Sequence, residues 1–223
     1  MESRPEKITT IRNAIDPVPE MTPYEKAAAR DKLGIPRDAF LSCIVSRLDP
    51  CKGHADTITS FFKIANSAKD AWLLVVGSGS LLEELQAQAQ QGAGADRIIF
   101  TDQRSDVPRL LTPPDAFVHP SRLDPCPLAD MEALASGLPV VAYREGGAIE
   151  MEEDSHTGLL TPPANTDLLA EAMQTLYMSP DRTREMGRSA RISIRDCFSP
   201  VLAGHNFSAL VERLTEEARL AYV

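Results

Sequence analysis

Aromatic side chains are scarce in this 223-residue chain. They make up 5% of it, with a single Trp, too few for a platform on which nucleobases stack. Cationic excess is also missing. The formal charge is −9, so the summed field repels phosphate and argues against nucleic acid or an anionic membrane as a general partner. An anionic ligand then needs a local cluster of cations. The four cysteines, Cys43, Cys51, Cys126 and Cys197, show no C-x-x-C spacing, which removes the common zinc and dithiol patterns. They read as reduced thiols in a cytoplasmic protein. The opening MESRPEKITT has no apolar signal core, and no apolar run approaches the ~20 residues of a membrane span. His54, His119, His156 and His205 lack metal or triad spacing, and His119, set among apolar strand residues, reads as a core histidine.

What is present is the composition of an ordinary soluble globular protein, 43% hydrophobic and 25% charged residues, in a chain long enough for one substantial core or two small ones. Short, almost wholly apolar runs mark strands buried on both faces at Phe40–Val45, Trp72–Val76, Ile98–Phe100, Ala116–Val118 and Val140–Ala142, with Leu159-Leu160 a weaker sixth. Helical patterns separate them at His54–Ala68, Leu81–Gln91, Asp106–Leu111, around Glu132 and near Ile149. A further helix, Tyr24–Leu33, precedes the first strand. Three more, Leu168–Tyr177, Pro180–Arg195 and Ser199–Leu220, follow the last. Strands alternating with helices specify an α/β fold: a Rossmann-like parallel sheet of about six strands, helices on both faces, and extra C-terminal helices. Residues 1–23 are Pro-rich and irregular, with one strand-like fragment at Lys7–Ile11.

In such a sheet ligands bind beyond the carboxyl ends of the strands, which directs attention to the loops after Val45, Val76, Phe100, Val118 and Ala142. The first loop, Ser46–Gly53, carries Arg47 and Lys52 and ends where a helix begins. A lysine at a helix N-terminus is unfavourable by about 0.3–1 kcal/mol. A bound anion reverses that sign, because the free N–H groups, the dipole and Lys52 then face one negative charge. Arg47 can add a bidentate phosphate contact; the competing reading pairs Arg47 with Asp49 and leaves Lys52 solvated. Gly77-Ser78-Gly79 follows the second strand, but the third-glycine position of a dinucleotide fingerprint is Leu82, which disfavours a nicotinamide cofactor. Leu128, Met131, Leu134 and Ala135 recur at helical spacing as a stripe that can be buried, and Gly137 with Pro139 ends that helix. Glu132 lies about 40° from Leu128 on the helical projection, beside small Ala129, Ala133 and Ser136. That suggests a ligand pocket, or else a border glutamate that is paired with arginine or solvated.

Together these loops resemble one family. The order of the segments is similar to the C-terminal, nucleotide-sugar-binding half of retaining GT-B glycosyltransferases, specifically glycosyltransferase family 4, over Ile8 to about Leu214. Ser46–Gly53 resembles its G-R-L-x-P-x-K-G loop, Leu74–Gly79 its strand-to-glycine turn, and Asp115–Ser121 its A-D-x-x-x-x-P-S strand. Asp124 through Ala142 resembles its E-x7-E segment and the tail that follows. The resemblance implies that Arg47 and Lys52, with the backbone at Leu128 and Ala129, hold the donor's diphosphate, and that Glu132 takes the ribose hydroxyls. Asp124 would contact the transferred sugar. The loop Asp102–Ser105, through Arg104 among others, would hold the base. No metal or other cofactor is expected. Residues 1–23 resemble the interdomain linker, 24–198 the donor-binding domain and 199–223 the crossover-type C-terminal helix. An acceptor-binding N-terminal domain is then expected as a partner, in cis or in trans, and this chain alone would hold half of an active site. In this sequence Asp124 replaces the family's usual Glu, Ser46 replaces a Gly, and Pro125 and Pro127 stand where glycines are frequent. Both a glycosyltransferase half and a non-catalytic nucleotide-sugar-binding module fit these residues.

Overall fold

The computed structural model describes residues 8–101, 110–152 and 155–221. Six strands form one parallel sheet: β1 (Phe40–Val45), β2 (Ala71–Val76), β3 (Ile98–Thr101), β4 (Ala116–His119), β5 (Val140–Tyr143) and β6 (Gly158–Thr161). Their spatial order is β3-β2-β1-β4-β5-β6, so the direction of winding reverses between β1 and β4. Among the described residues the α-helices are α1 (Pro23–Lys32), α2 (His54–Ala65), α3 (Leu82–Ala89), α4 (Leu128–Ala135), α5 (Ala148–Met151), α6 (Thr166–Met178), α7 (Pro180–Cys197) and α8 (Pro200–Ala221).

Alternate strand residues supply two cores. Leu41, Cys43, Val45, Phe117 and Val140 pack with α4, α5 and α7 on one face. Ile44, Leu73, Val75, Val118 and Val141 pack with α2, α3 and α6 on the other. Both faces are covered, which is why the strands read as continuous apolar runs rather than as alternation. Arg97 closes the end of α2 by donating to the carbonyls of Ala65, Ala68 and Ala71 at 2.6–3.0 Å. Over the described part of the anticipated Lys7–Ile11 strand fragment no strand forms: Ile8 to Met21 adopt neither helix nor strand. Instead this segment lies along α7, with Ile15 N–H donating to Phe198 O at 3.0 Å and Arg191 to Val18 O at 2.7 Å. The anticipated Asp106–Leu111 helix falls largely outside the described residues. The long α8 leaves Phe207, Val211, Leu214 and Leu220 exposed. Among the described residues no helix is long and apolar enough to cross a membrane.

The ladders are uneven. β1 and β2 pair over six positions, from Phe40↔Ala71 to Val45↔Val76. β1 and β4 pair at two only, Ser42↔Ala116 and Cys43↔Phe117. At the amino edge this narrow join is reinforced. Asp115 N–H donates to Leu41 O at 2.7 Å, and the Asp115 carboxylate accepts from Leu41 N–H at 2.9 Å and from Arg30 at 2.6 Å. Buried Arg30 also donates to the carbonyls of Pro113, Arg37 and Ala39 at 2.7–3.0 Å, while Lys26 reaches Asp115 at 2.7 Å from nearer the surface.

Arg30→Met strands several buried acceptors together, so we expect a loss of about 3–5 kcal/mol of folding stability. Lys26→Met, on the same carboxylate but half-exposed, is expected to lose no more than about 1 kcal/mol. Paired urea denaturation curves check the contrast.

Candidate functional site

Strand order places the candidate site at the carboxyl edge above β1 and β4, where the winding reverses. The loop after β1 crosses to the loop after β4 and is sewn to it by backbone. Arg122 N–H donates to Cys51 O at 2.9 Å and Ser121 Oγ to the same oxygen at 3.1 Å. Gly53 has φ +75°, and a Cβ there would sit 2.2 Å from Pro120 O, so no other residue lets the two loops touch. The loop after β5 joins them through Gly146 (φ +60°), whose added Cβ would meet Asp124 O at 2.5 Å. Gly147 N–H donates to the same carbonyl at 2.8 Å. The Gly77–Gly79 turn is fastened to the first loop as well, with Leu48 N–H on Ser78 O at 2.9 Å.

The sequence-predicted residues are distributed over this edge as follows. Lys52 reaches across the crevice to Asp124, and both side chains are largely buried. Of the two readings of Lys52, a solvated side chain is therefore not what the structure shows. Arg47, on the same loop, has Nη2 2.9 Å from Asp49 Oδ2, and its side chain is 77% exposed. Asp124, expected at the sugar, is engaged by Lys52. Glu132 is half-buried on α4. Burial raises its carboxyl pKa above the ordinary range, and among the described residues it makes no ion pair or side-chain hydrogen bond. Among the described residues no arginine pairs with it. No side chain caps the start of α4, so the first N–H groups around Leu128 and Ala129 face the crevice edge. Arg104 and the Asp102–Ser105 loop lie outside the described residues.

Two expectations for α4 are corrected. Leu128 was to join a buried stripe but is 54% exposed: it opens the helix beyond the end of the sheet, where no core lies beneath it. Ala133 and Ser136 were to leave room beside Glu132, yet both are buried. They let α7 pack closely, with Arg191 donating to Ser136 O at 2.8 Å. Only Ala129 keeps partial exposure on that side.

A further group of ionisable residues lies under the crevice and was not anticipated. His119, the last residue of β4, is 3% exposed and has Nδ1 2.7 Å from Oδ1 of Asp130, itself fully buried on α4. Glu152, 4% exposed after α5, faces Asp130. Burial, and then the Asp130 charge, push the Glu152 carboxyl far above its ordinary 4.5, so it stays protonated at neutral pH. His54 is neutral, its pKa lowered to about 4 mainly by burial, and its Nε2 lies 3.2 Å from Ser46 Oγ. The signal for this cluster was an aspartate four residues before core Leu134 and next to core Met131, read together with a histidine in an apolar strand. Among the described residues no group of three or more His, Cys, Asp or Glu side chains is placed to hold a metal ion, and all four cysteines are free.

With this geometry in view, comparison with known proteins is informative. The family model for glycosyl transferases group 1 matches residues 25–193. A GDP-mannose-dependent alpha-(1-6)-phosphatidylinositol monomannoside mannosyltransferase of Mycolicibacterium smegmatis is 30% identical over 200 residues, covering 86% of this chain and 50% of the relative. A UDP-Gal:alpha-D-GlcNAc-diphosphoundecaprenol alpha-1,3-galactosyltransferase of Escherichia coli is 25% identical over 216 residues, covering 95% and 54%. Among solved structures, Anabaena HepE in complex with UDP and glucose superposes with TM-score 0.85 at 26% identity, covering 94% of this chain and 58% of HepE. The chain thus spans about half the length of the relatives it matches.

The Glu152 carboxyl gives a stability prediction. Unfolded, it ionises near 4.5; folded, it must hold its proton, so stability falls as pH rises above 4.5. Glu152→Gln is neutral at every pH. It is expected to be more stable than wild type by roughly 1–3 kcal/mol at neutral pH, with the gap closing towards pH 4.5. Denaturation across a pH series measures it.

Proposed function

Because the chain belongs to the glycosyl transferases group 1 family, we propose that it is the donor-binding half of a retaining, metal-independent glycosyltransferase. It binds a nucleoside-diphosphate sugar and, with an N-terminal acceptor-binding domain supplied in cis or in trans, transfers the hexosyl group. The observation that carries this reading is the convergence of Lys52, Asp124 and the uncapped start of α4 on the crevice where the sheet reverses. In a chain of charge −9, this local arrangement is what offers an anion somewhere to sit. Lys52 and Arg47, one charge buried and one exposed, neutralise the diphosphate as it leaves, joined by the N–H groups at Leu128 and Ala129. A desolvated Glu132 carboxylate, lacking a protein partner among the described residues, is suited to accept from ribose hydroxyls. Asp124 then faces the transferred sugar. Two of the relatives use different bases, guanine and uracil, by their names, and we leave the base of this donor open.

One observation favours a second reading, a module that binds donor without transfer. Asp124, the shorter substitute for the family's glutamate, is already engaged by Lys52 in the free chain.

Calorimetric titration with GDP, UDP and pyrophosphate tests the binding site. Lys52→Ala is expected to weaken both nucleotides and pyrophosphate by about tenfold or more, and to flatten the salt dependence. Glu132→Ala should weaken the nucleotides by a similar factor while leaving pyrophosphate unchanged. Unchanged affinity and salt slope in both Lys52→Ala and Arg47→Ala overturn the diphosphate assignment. Turnover of the chain supplied with its N-terminal half separates transfer from binding alone.

A further inference from the structure

The ionisable groups beneath the crevice form a row that reaches the donor site. Asp124 has two basic neighbours. Lys52 lies above it, and His119 lies below, with Nε2 3.8 Å from Asp124 Oδ2. On its other side His119 is backed by Asp130, 2.7 Å from Nδ1. From the loop inward the order is therefore Lys52, Asp124, His119, Asp130 and the protonated Glu152. Among the described residues the further titratable group that acts on His119 is His54 at the start of α2, which is neutral at physiological pH and so does not compete for Asp124.

In the free chain the Lys52 ammonium is engaged by Asp124. A diphosphate that claims Lys52 leaves behind a largely buried carboxylate, which is unfavourable unless another cation takes its place. We propose that His119 is that cation: as a nucleoside diphosphate draws Lys52 away, the imidazolium, anchored from behind by Asp130, becomes the counter-ion that holds Asp124 in place, and binding takes up a proton from solvent onto His119. His119 is thus a positioning residue, acting on the donor through Asp124. This rests on the reading that Lys52 meets the diphosphate.

Electrostatics agrees with the geometry. Burial pulls the His119 pKa down, but Asp130 and then Asp124 outweigh it, and the net shift is upward, with Lys52 opposing. Withdrawing Lys52 towards the ligand weakens that opposition, and the diphosphate charge adds to the upward pull. Both changes raise the imidazole pKa on binding, so uptake is confined to pH above the ordinary imidazole range and disappears where His119 is already charged.

The test is titration of the intact chain with GDP and with UDP, in buffers of different ionisation heat, at about pH 8 and about pH 5.5. The wild type minus His119→Gln difference cancels the nucleotide's own proton. We expect that difference to be a sizeable fraction of a proton taken up at the higher pH and none at the lower. Equal uptake by the two chains overturns the inference while leaving the donor reading intact. No binding of either nucleotide to wild type overturns the donor reading, and the inference with it. A second arm needs no ligand: the His119 imidazole resonance is followed by NMR against pH. Lys52→Met should raise its midpoint and Asp124→Asn should lower it. If neither substitution moves the midpoint, the three groups are not coupled and the inference fails even where nucleotide binds.

Discussion

The join between β1 and β4 is the constraint on which the rest of the molecule depends. Winding reverses there, so the loops above these two strands diverge onto opposite faces and leave a crevice between them. Backbone pairing holds the strands for two positions and then stops. Beyond Cys43 and Phe117 the structure relies on loop contacts instead: Gly53 against Pro120, the Cys51 carbonyl shared by Ser121 and Arg122, and Gly146 against Asp124. Every candidate donor contact in the described residues hangs on one of these loops or on α4, which follows from one of them.

Charge is arranged along that join as alternating signs. A buried ion is costly unless partnered, and a row of partners distributes the desolvation among them. Here the row runs from Lys52 in the loop after β1 to a protonated Glu152 in the core. The final proton matters physically. With Glu152 ionised, two carboxylates would face each other beside His119. Holding that proton leaves Asp130 free to act as the anion behind His119.

The sheet was legible in the sequence because its strands are covered on both faces: runs such as Phe40–Val45 and Val140–Ala142 are apolar throughout, and all six strands appear where those runs lie. The cations of the first loop were legible too, since Lys52 sits badly at a helix start unless an anion or carboxylate answers it. Its partner in the free chain was not, because the Lys52–Asp124 pair spans 72 residues and depends on the bend at Gly53. The α4 stripe was half right. Periodicity gave the buried Met131 and Leu134, but it cannot tell that the sheet ends before Leu128 or that Ala133 and Ser136 admit α7. His119 was read correctly as buried. That Asp130 and Glu152 stand behind it needs three elements superposed, which no local pattern records.

The amino-edge clamp of Arg30 on Asp115 has a mechanical corollary. Asp115 lies four residues below His119, about 13 Å along the strand. Two three-stranded leaves, β3-β2-β1 and β4-β5-β6, are thus riveted at the foot of one short seam and carry Lys52 and Asp124 at its head. The seam is therefore latched at both extremities, by the Arg30–Asp115 clamp below and by the Cys51, Ser121 and Arg122 contacts above, and that double latch sets the span across which Lys52 meets Asp124.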